Sequence, residues 1–402
     1  MTDPAAPAMR WASAGSRFDD AAAAAVEAID AVRETLGPGV VDLALLFLGR
    51  AHVAHTNTIA AIVRERLAPE CLLGVSAHGV ISSEHELEEP VALTLVAARL
   101  PGVTLSPFLV LDEVWANAHA EAAAFHAAAP GAKDAEVVLL FGDPFSLQIE
   151  RVLHAFNQHA PGTRVLGGMA SAAGRPRSNA LILNDWIASE GGIGLALSGA
   201  IRADAIVSQG CRAIGPPLTV TRATQNVVVE FDGQPALERI EQVLQSLPAA
   251  ERDSMKHGLY VGRPVRPNAE GRGDYLIRNL LGADRERGVV AIGDLVRPNE
   301  KLRFHVRDAD TAREDLALLL APQEFDSRAS GALLFACNGR GRGLYGEADG
   351  DLSVVREALG GAVPIGGLFC AGEIGPVGGT NFLHGQTACV VVLRPAPAKA
   401  DA

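Results

Sequence analysis

Two loops carry the residue types that could do chemistry in this chain. The first, Cys337-Asn338-Gly339-Arg340-Gly341-Arg342-Gly343, sets a thiol, an amide and two guanidinium groups among glycines. With no Cβ, those glycines let backbone N–H groups come close to a bound molecule. The second loop, Cys370 to Gly385, alternates glycines with one carboxylate at Glu373, one amide at Asn381 and one imidazole at His384. Asn338 can donate and accept, the arginines are planar cations suited to a carboxylate or phosphate, and Glu373 suits an amine. The expected ligand is therefore a small anionic or zwitterionic molecule, held by Cys337, Asn338, Gly339, Arg340, Gly372, Glu373, Asn381 and His384. Arg278 and Arg307, in segments that alternate apolar with polar residues at strand period, could be presented toward the same cleft. A different chemistry open to the same residues is attack on a carbonyl or amide, with Cys337 as nucleophile and His384 or Glu373 moving the proton. They also have a purely structural use: glycine turns, a Glu373–Arg340 ion pair, an Asn381 helix cap, and cysteines ending core strands.

The elements that must position these loops form a unit found three times: an apolar strand, a polar loop, an amphipathic helix and a strand ending in glycine. The first strands are Val41 to Phe47, Val137 to Phe141 and Gly331 to Phe335, and the second ones carry Leu73-Gly74, Leu166-Gly167-Gly168 and Ile365-Gly366-Gly367. From the strand-ending Phe to the first Gly the distances are 74−47=27, 167−141=26 and 366−335=31 residues, room for one crossover helix each. Ile59, Ile62, Val63 and Leu67, then Ile149, Val152, Leu153 and Phe156, then Leu352, Val355 and Leu359 fall at helical spacing. The all-apolar strands fit a sheet covered on both faces. In the third unit both loops leave the same sheet end, where open α/β sheets bind ligands.

Composition narrows the function further. The chain has 402 residues, 48% hydrophobic and 20% charged, as in soluble globular proteins. Lys plus Arg is 35 against 47 Asp plus Glu, a net charge of −12 that would repel a nucleic-acid backbone. No apolar run approaches the roughly 18 residues of a membrane span, and the amino terminus lacks a signal-like stretch, so a cytoplasmic location is expected. Five widely spaced cysteines without a C-x-x-C signal neither a disulfide framework nor a zinc site. His52, His55, His78 and His85 read as exposed loop residues, Ser76 as a turn residue, and neither a metal nor a cofactor is expected. Gly341-x-Gly343-x-x-Gly346 formally matches a dinucleotide fingerprint, but Glu347 to Asp351 intervene where a helix should begin.

Elsewhere a helix is expected between Asp19 and Leu36. Val289–Gly293 and Leu302–Val306 read as an antiparallel pair across Pro298-Asn299-Glu300, and Thr219 to Phe231 as one alternating strand. The fold class is α/β, with repeated βαβ-like units, mixed sheets and two similar-sized halves divided near Gly215-Pro216-Pro217. The halves are 10–221 and 222–394, with 1–9 and 395–402 as disordered tails.

On these residues the chain resembles the FIST family, a two-part module of bacterial signal transduction. The amino-terminal part is carried by Leu73-Gly74-Val75-Ser76, Leu166 to Ser171, Gly191 to Gly199 and Val207 to Gly215. The carboxyl-terminal part is carried by Leu276-Ile277-Arg278-Asn279, Val306 to Ala309, Phe335 to Gly341 and Gly372 to Gly379, extended by Asn381 to Gly385. The resemblance implies a sensory module that binds a small ligand, with amino acids or their relatives proposed. Family members are often fused to output domains. With only short segments at either end here, the signal is expected to leave through a downstream protein partner or a change of homo-oligomeric state.

Overall fold

The computed structural model describes residues 8–248, 251–252, 255, 258–266 and 275–397. The tails expected at 1–9 and 395–402 therefore lie mostly outside the described residues. By internal contacts the chain forms two compact units. The larger runs through Val207 and resumes over Leu319–Leu383 and from Thr387 onward, while the smaller holds Ser208–Leu318 and His384–Gln386. They are unequal because the smaller is inserted, in chain order, within the third repeat of the larger. The division near residue 221 falls inside a strand of the smaller unit, Arg212–Thr224.

The larger unit is a threefold repetition. The first repeat comprises β1 (Arg10–Ser16), α1 (Ala21–Leu36), β2 (Leu43–Gly49), α2 (Thr56–Arg66), β3 (Cys71–Ala77), the short β4 (Val80–Ile81) and β5 (Glu86–Leu87), and β6 (Leu93–Arg99). The second has β7 (Val103–Val110), α3 (Asp112–Trp115), α4 (Ala122–Ala128), β8 (Val137–Gly142), α5 (Ile149–His159), β9 (Arg164–Met169), β10 (Leu181–Leu183), β11 (Trp186–Ala188) and β12 (Gly192–Gly199). The third opens with β13 (Ile201–Ser208). The smaller unit's chain ends in α7 (Ala309–Leu320), whose residues through Leu318 belong to it, and the third repeat then resumes with β21 (Gly331–Cys337), α8 (Arg342–Tyr345), α9 (Gly350–Ala358), β22 (Ile365–Cys370), β23 (Glu373–Val377), β24 (Thr380–His384) and β25 (Ala388–Pro395).

The three six-stranded sheets have the same plan: β1-β6-β2-β3-β10-β11, β7-β12-β8-β9-β23-β24 and β13-β25-β21-β22-β4-β5. Each has a parallel pair at its centre, β2/β3, β8/β9 or β21/β22. Each is completed by a hairpin from another repeat: β4–β5 leaves repeat one for the third sheet, β10–β11 leaves repeat two for the first, and β23–β24 leaves repeat three for the second. This cyclic exchange ties the repeats into one body.

Strand alternation explains how the sheets pack. One face of each points to a shared core of Leu45, Phe47, Leu139, Phe141, Leu333 and Phe335 with their neighbours. The three strand-ending phenylalanines meet edge-on there, Phe47 to Phe141 at 6.1 Å and Phe141 to Phe335 at 5.6 Å between ring centroids. The other face of the first sheet (Ala44, Leu46, Leu48) is covered by α1 and α2, and that of the second (Val138, Leu140) by α4 and α5. The glycines inside the second strands are steric necessities. A Cβ on Gly367 would stand 1.8 Å from the Leu334 carbonyl oxygen, and one on Gly167 2.1 Å from that of Leu140.

The smaller unit is a closed antiparallel barrel. Its strands β14 (Arg212–Thr224), β20 (Lys301–Val306), β17 (Leu259–Pro264), β18 (Tyr275–Asp284), β19 (Val289–Ile292) and β15 (Val227–Phe231) pair in that order, and β15 closes on β14. A helix, α6 (Ala236–Ser246), contributes Ile240 and Val243 to the barrel core. Two sequence expectations are corrected here. Val289–Gly293 and Leu302–Val306 do not pair with each other, because β17 and β18 lie between them. Thr219 to Phe231 is a hairpin, reversing where Gln225 takes a left-handed φ of 54°. The Gly215-Pro216-Pro217 stretch sits in an irregularity of β14, where pairing with β20 jumps from Ile214 to Leu218.

Candidate functional site

The loops singled out by composition leave adjacent strands at the same end. Cys337 is in register with Cys370 across the parallel pair, and Asn338 N–H donates to the Cys370 carbonyl at 3.0 Å. Asn338 is exposed, Cys337 and Gly339 are half-buried, and Glu373 is fully enclosed.

Threefold repetition supplies an internal comparison. Leu46 pairs Gly74, Leu140 pairs Gly167 and Leu334 pairs Gly367, so three residues further on the equivalent positions are Gly49, Asp143 and Cys337. The incoming hairpins place Ile182 opposite Gly74, Ile374 opposite Gly167 and Ile81 opposite Gly367; the residues just before them are Leu181, Glu373 and Val80. Val80 and Leu181 are buried in the shared core. Glu373 thus occupies a slot that is aliphatic in both sister repeats, and Cys337 one that is glycine or aspartate.

A carboxyl in that slot is costly unless it is neutral or matched. Glu373 Oε2 accepts the Thr387 N–H at 3.1 Å, the Cys337 thiol hydrogen-bonds the carboxyl, and Oε1 has no nitrogen or oxygen donor. Burial pushes the pKa up to about 8, against the opposing pull of the Thr387 N–H, Arg340 and Cys337. The thiol also receives the Gly339 N–H at 3.5 Å. Cys370 and Cys389 lie beside the group, their own pKa values raised by burial and then by the Glu373 charge.

Arg340 sits behind the loop with no exposed surface, and its guanidinium grips Asp351: Nε to Oδ2 at 2.7 Å and Nη2 to Oδ1 at 2.6 Å. Nη2 also donates to the Tyr345 hydroxyl at 2.7 Å, and that hydroxyl donates to Asp351 Oδ1 at 2.6 Å. Burial opposes the Arg340 charge, but Asp351 and Tyr345 outweigh it and hold the guanidinium charged. This geometry commits Arg340 to the loop's own carboxylate. The first repeat's hairpin secures the same loop. Glu86 Oε1 accepts the first N–H groups of α9, Asp351 at 3.0 Å and Leu352 at 2.8 Å, and Glu88 Oε1 accepts the Arg342 N–H at 2.8 Å. Gly341 is required here, since its φ is 58° and a Cβ would stand 2.7 Å from Glu88 Oε1. Burial, and then the charge of Asp351, raise the Glu86 pKa to about 8 as well.

The remaining expected site residues lie elsewhere. Asn381 caps no helix. It stands in β24, where Nδ2 donates to Asn157 Oδ1 at 3.0 Å and the Thr163 carbonyl at 2.9 Å, and Oδ1 accepts the Val165 N–H at 2.9 Å. Arg278 pairs Asp294 at 2.9 Å on the barrel, Arg307 is buried there with its guanidinium 5.6 Å from the Tyr260 ring centre, and His384 is buried and groups with that unit. His52 is buried, not exposed, and Ser76 lies within β3 with its Oγ accepting the Ala180 N–H at 2.8 Å. Among the described residues no cluster of three or more His, Cys, Asp or Glu could hold a metal ion. A depression of about 830 Å³, lined by Trp11, Ser330, Pro364 and Pro395 among others, lies at the opposite end of β21 and β22.

Residues 42–234 match the FIST N domain and residues 236–376 the FIST C domain. The chain belongs to the FIST family. An uncharacterized protein of Mycobacterium bovis is 37% identical over 378 residues, 93% of this chain and 96% of that protein. An uncharacterized protein of Mycobacterium tuberculosis is 36% identical over 389 residues, 96% and 99% of the two. Among solved structures, a cyanuric acid hydrolase covers 96% of this FIST chain at 10% identity with a TM-score of 0.31, too slight a likeness to carry any argument. In this FIST protein the Gly372–Gly379 motif is the turn and strand that enter the second sheet, and the Phe335–Gly341 motif is the strand end and loop beside it. The sequence singles out Cys337, Asn338 and Glu373 as candidates but not Glu86 and Asp351, which brace the loop. Asp351 stood out only as an interruption of the dinucleotide-like glycines, and Glu86 is one acid in a run of them.

Proposed function

We propose that this protein is a small-ligand-binding sensory module whose ligand, an amino acid or related metabolite, seats at the mouth formed by Cys337, Asn338 and Gly339, with Glu373 behind it. The observation that carries the reading is the carboxyl at 373 in a slot that is Val80 and Leu181 in the sister repeats. An aliphatic residue there would stabilise the free protein, so the acid is explained by something it meets. An incoming ammonium or other donor would supply the hydrogen bond that Oε1 lacks and draw the carboxyl into its charged form. The exposed Asn338 side-chain amide suits the ligand's carboxylate. Among the described residues no helix is long and apolar enough to cross a membrane, in keeping with a cytoplasmic place of action. The bound state is then read by a protein partner or by association of two copies.

A thermal-shift screen of amino acids and related metabolites at pH 7 tests this. At least one compound should raise the melting temperature of the wild type, and the shift should vanish in Glu373→Leu and weaken in Asn338→Ala. Flat curves throughout, or hits untouched by both substitutions, would count against it.

A further inference from the structure

Beside the exposed Asn338 this mouth holds a half-buried thiol, and its setting goes beyond packing. Cys337 is half-buried at the end of β21, receives the Gly339 N–H at 3.5 Å, and shares a hydrogen bond with the buried Glu373 carboxyl. The Arg340 charge acts on both groups, although Asp351 neutralises much of it. Cys370 and Cys389 lie beside Glu373 as buried thiols whose pKa values are raised by burial and then by the Glu373 charge, so they stay protonated. Neither sister repeat has the pair: its two slots hold Gly49 with Val80 and Asp143 with Leu181. An N–H donor and a positive charge favour thiolate, and a carboxyl within hydrogen-bonding distance can take and return the proton.

Resting on the ligand-binding reading of this site, we propose that Cys337 captures a small aldehyde covalently and reversibly, with Glu373 relaying the proton. Protonated Glu373 gives its proton to the carbonyl oxygen while its other carboxyl oxygen takes the thiol proton, and a sulfur electron pair attacks the carbonyl carbon. The C–S bond forms as the C=O π bond breaks and its pair moves to oxygen. Glu373 ends the step protonated as it began, the thiol proton having replaced the one it gave. The product is a hemithioacetal, every atom of thiol and aldehyde is retained, nothing is oxidised or reduced, and the reverse sequence releases the ligand. An aldehyde suits this pair better than an acyl donor or a disulfide because its addition has no leaving group to protonate: one proton leaves the thiol, one reaches the oxygen, and the carboxyl exchanges them. Burial keeps the Glu373 carboxyl largely protonated near neutrality, so it can serve as the donor to the forming hydroxyl. Reversible capture also suits a sensor, which has to let go of what it detects.

The test uses the full chain and carbonyl-labelled 13C-acetaldehyde. NMR of the wild type should show one protein-bound resonance of a tetrahedral carbon, absent in Cys337→Ser and in wild type blocked beforehand with iodoacetamide. That chemical block keeps the test valid if the substitution unfolds the chain. Formation measured by stopped-flow should slow at least about tenfold in Glu373→Gln and recover in part in Glu373→Asp, as expected for loss of a general acid–base group. The proposal is overturned by no such resonance in the wild type, by one that survives the block, or by an unchanged rate in Glu373→Gln. If non-electrophilic compounds still shift the melting of Cys337→Ser while acetaldehyde never adds, covalent capture is wrong and the ligand-binding reading stands. If neither does anything to the wild type, both fall.

Discussion

Replacing Glu373 with leucine, the residue of the equivalent slot at Leu181, should stabilise the free protein by an amount that grows with pH. A carboxyl whose pKa rises on folding binds its proton more tightly in the folded state, so stability is greatest below about 4.5 and falls as pH rises through about 8. The distance from 4.5 to about 8 corresponds to roughly 5 kcal/mol once the group is fully ionised. Linkage gives roughly 1 kcal/mol of that at pH 5 and about 3 kcal/mol at pH 7. Leucine has no such dependence and adds apolar burial at every pH. Glu86 titrates in the same range and gives wild type and variant the same slope, so it cancels in the difference. Calorimetric melting of both proteins at pH 5, 7 and 8.5 reads this out as a gap in melting temperature that widens by several degrees. A gap that stays constant with pH, or a variant less stable than wild type at pH 8.5, would refute the reasoning, since either result means that the carboxyl is not held against its own burial.

Three further outcomes follow from the contacts. Arg340→Ala should cost about 3–5 kcal/mol because it strands the Asp351 carboxylate with no exposure, and Arg340→Met with Asp351→Leu should recover most of the loss in urea unfolding. Asn381→Ala leaves the Thr163 carbonyl and the Val165 N–H without their bonds, so it should lower stability by about 2–4 kcal/mol while leaving every ligand-induced thermal shift of the wild type in place. Gly367→Ala should abolish soluble expression or melt far below wild type, since its Cβ meets the Leu334 backbone at 1.8 Å; Gly346→Ala, with open space around it, should cost only the strain of its left-handed φ of 72°.

Much of the larger unit was legible from its strands. The Phe-to-Gly spacing marks three parallel pairs with helical crossovers, the third of them split into α8 and α9, and the helix expected between Asp19 and Leu36 is α1, Ala21–Leu36. The hairpin exchange was not legible, because β4 and β5 are two residues long and β10 three, too short for any period to show. What makes Glu373 informative is its alignment with Val80 and Leu181, and that depends on cross-strand register, which spacing alone does not fix. In the barrel, β19 and β20 follow one another in sequence but are separated in the sheet, so their short link suggests a pairing that β17 and β18 prevent. Arg340 was noticed for its charge, but its commitment to Asp351, eleven residues on, follows from the turn that α8 makes between them. Arg278 and Arg307 were chosen by alternation in strands that turned out to belong to the barrel.

The protonation state of the Glu373 side chain is the most direct measure of a buried acid in an aliphatic slot. Infrared difference spectra of wild type against Glu373→Leu, titrated from pH 5 to pH 9.5, report the carbonyl stretch of a protonated buried carboxyl. The band should be present at pH 6 and disappear through about pH 8. A carboxylate already ionised at pH 6 would contradict the claim that the third repeat holds a buried acid in an aliphatic slot awaiting a partner.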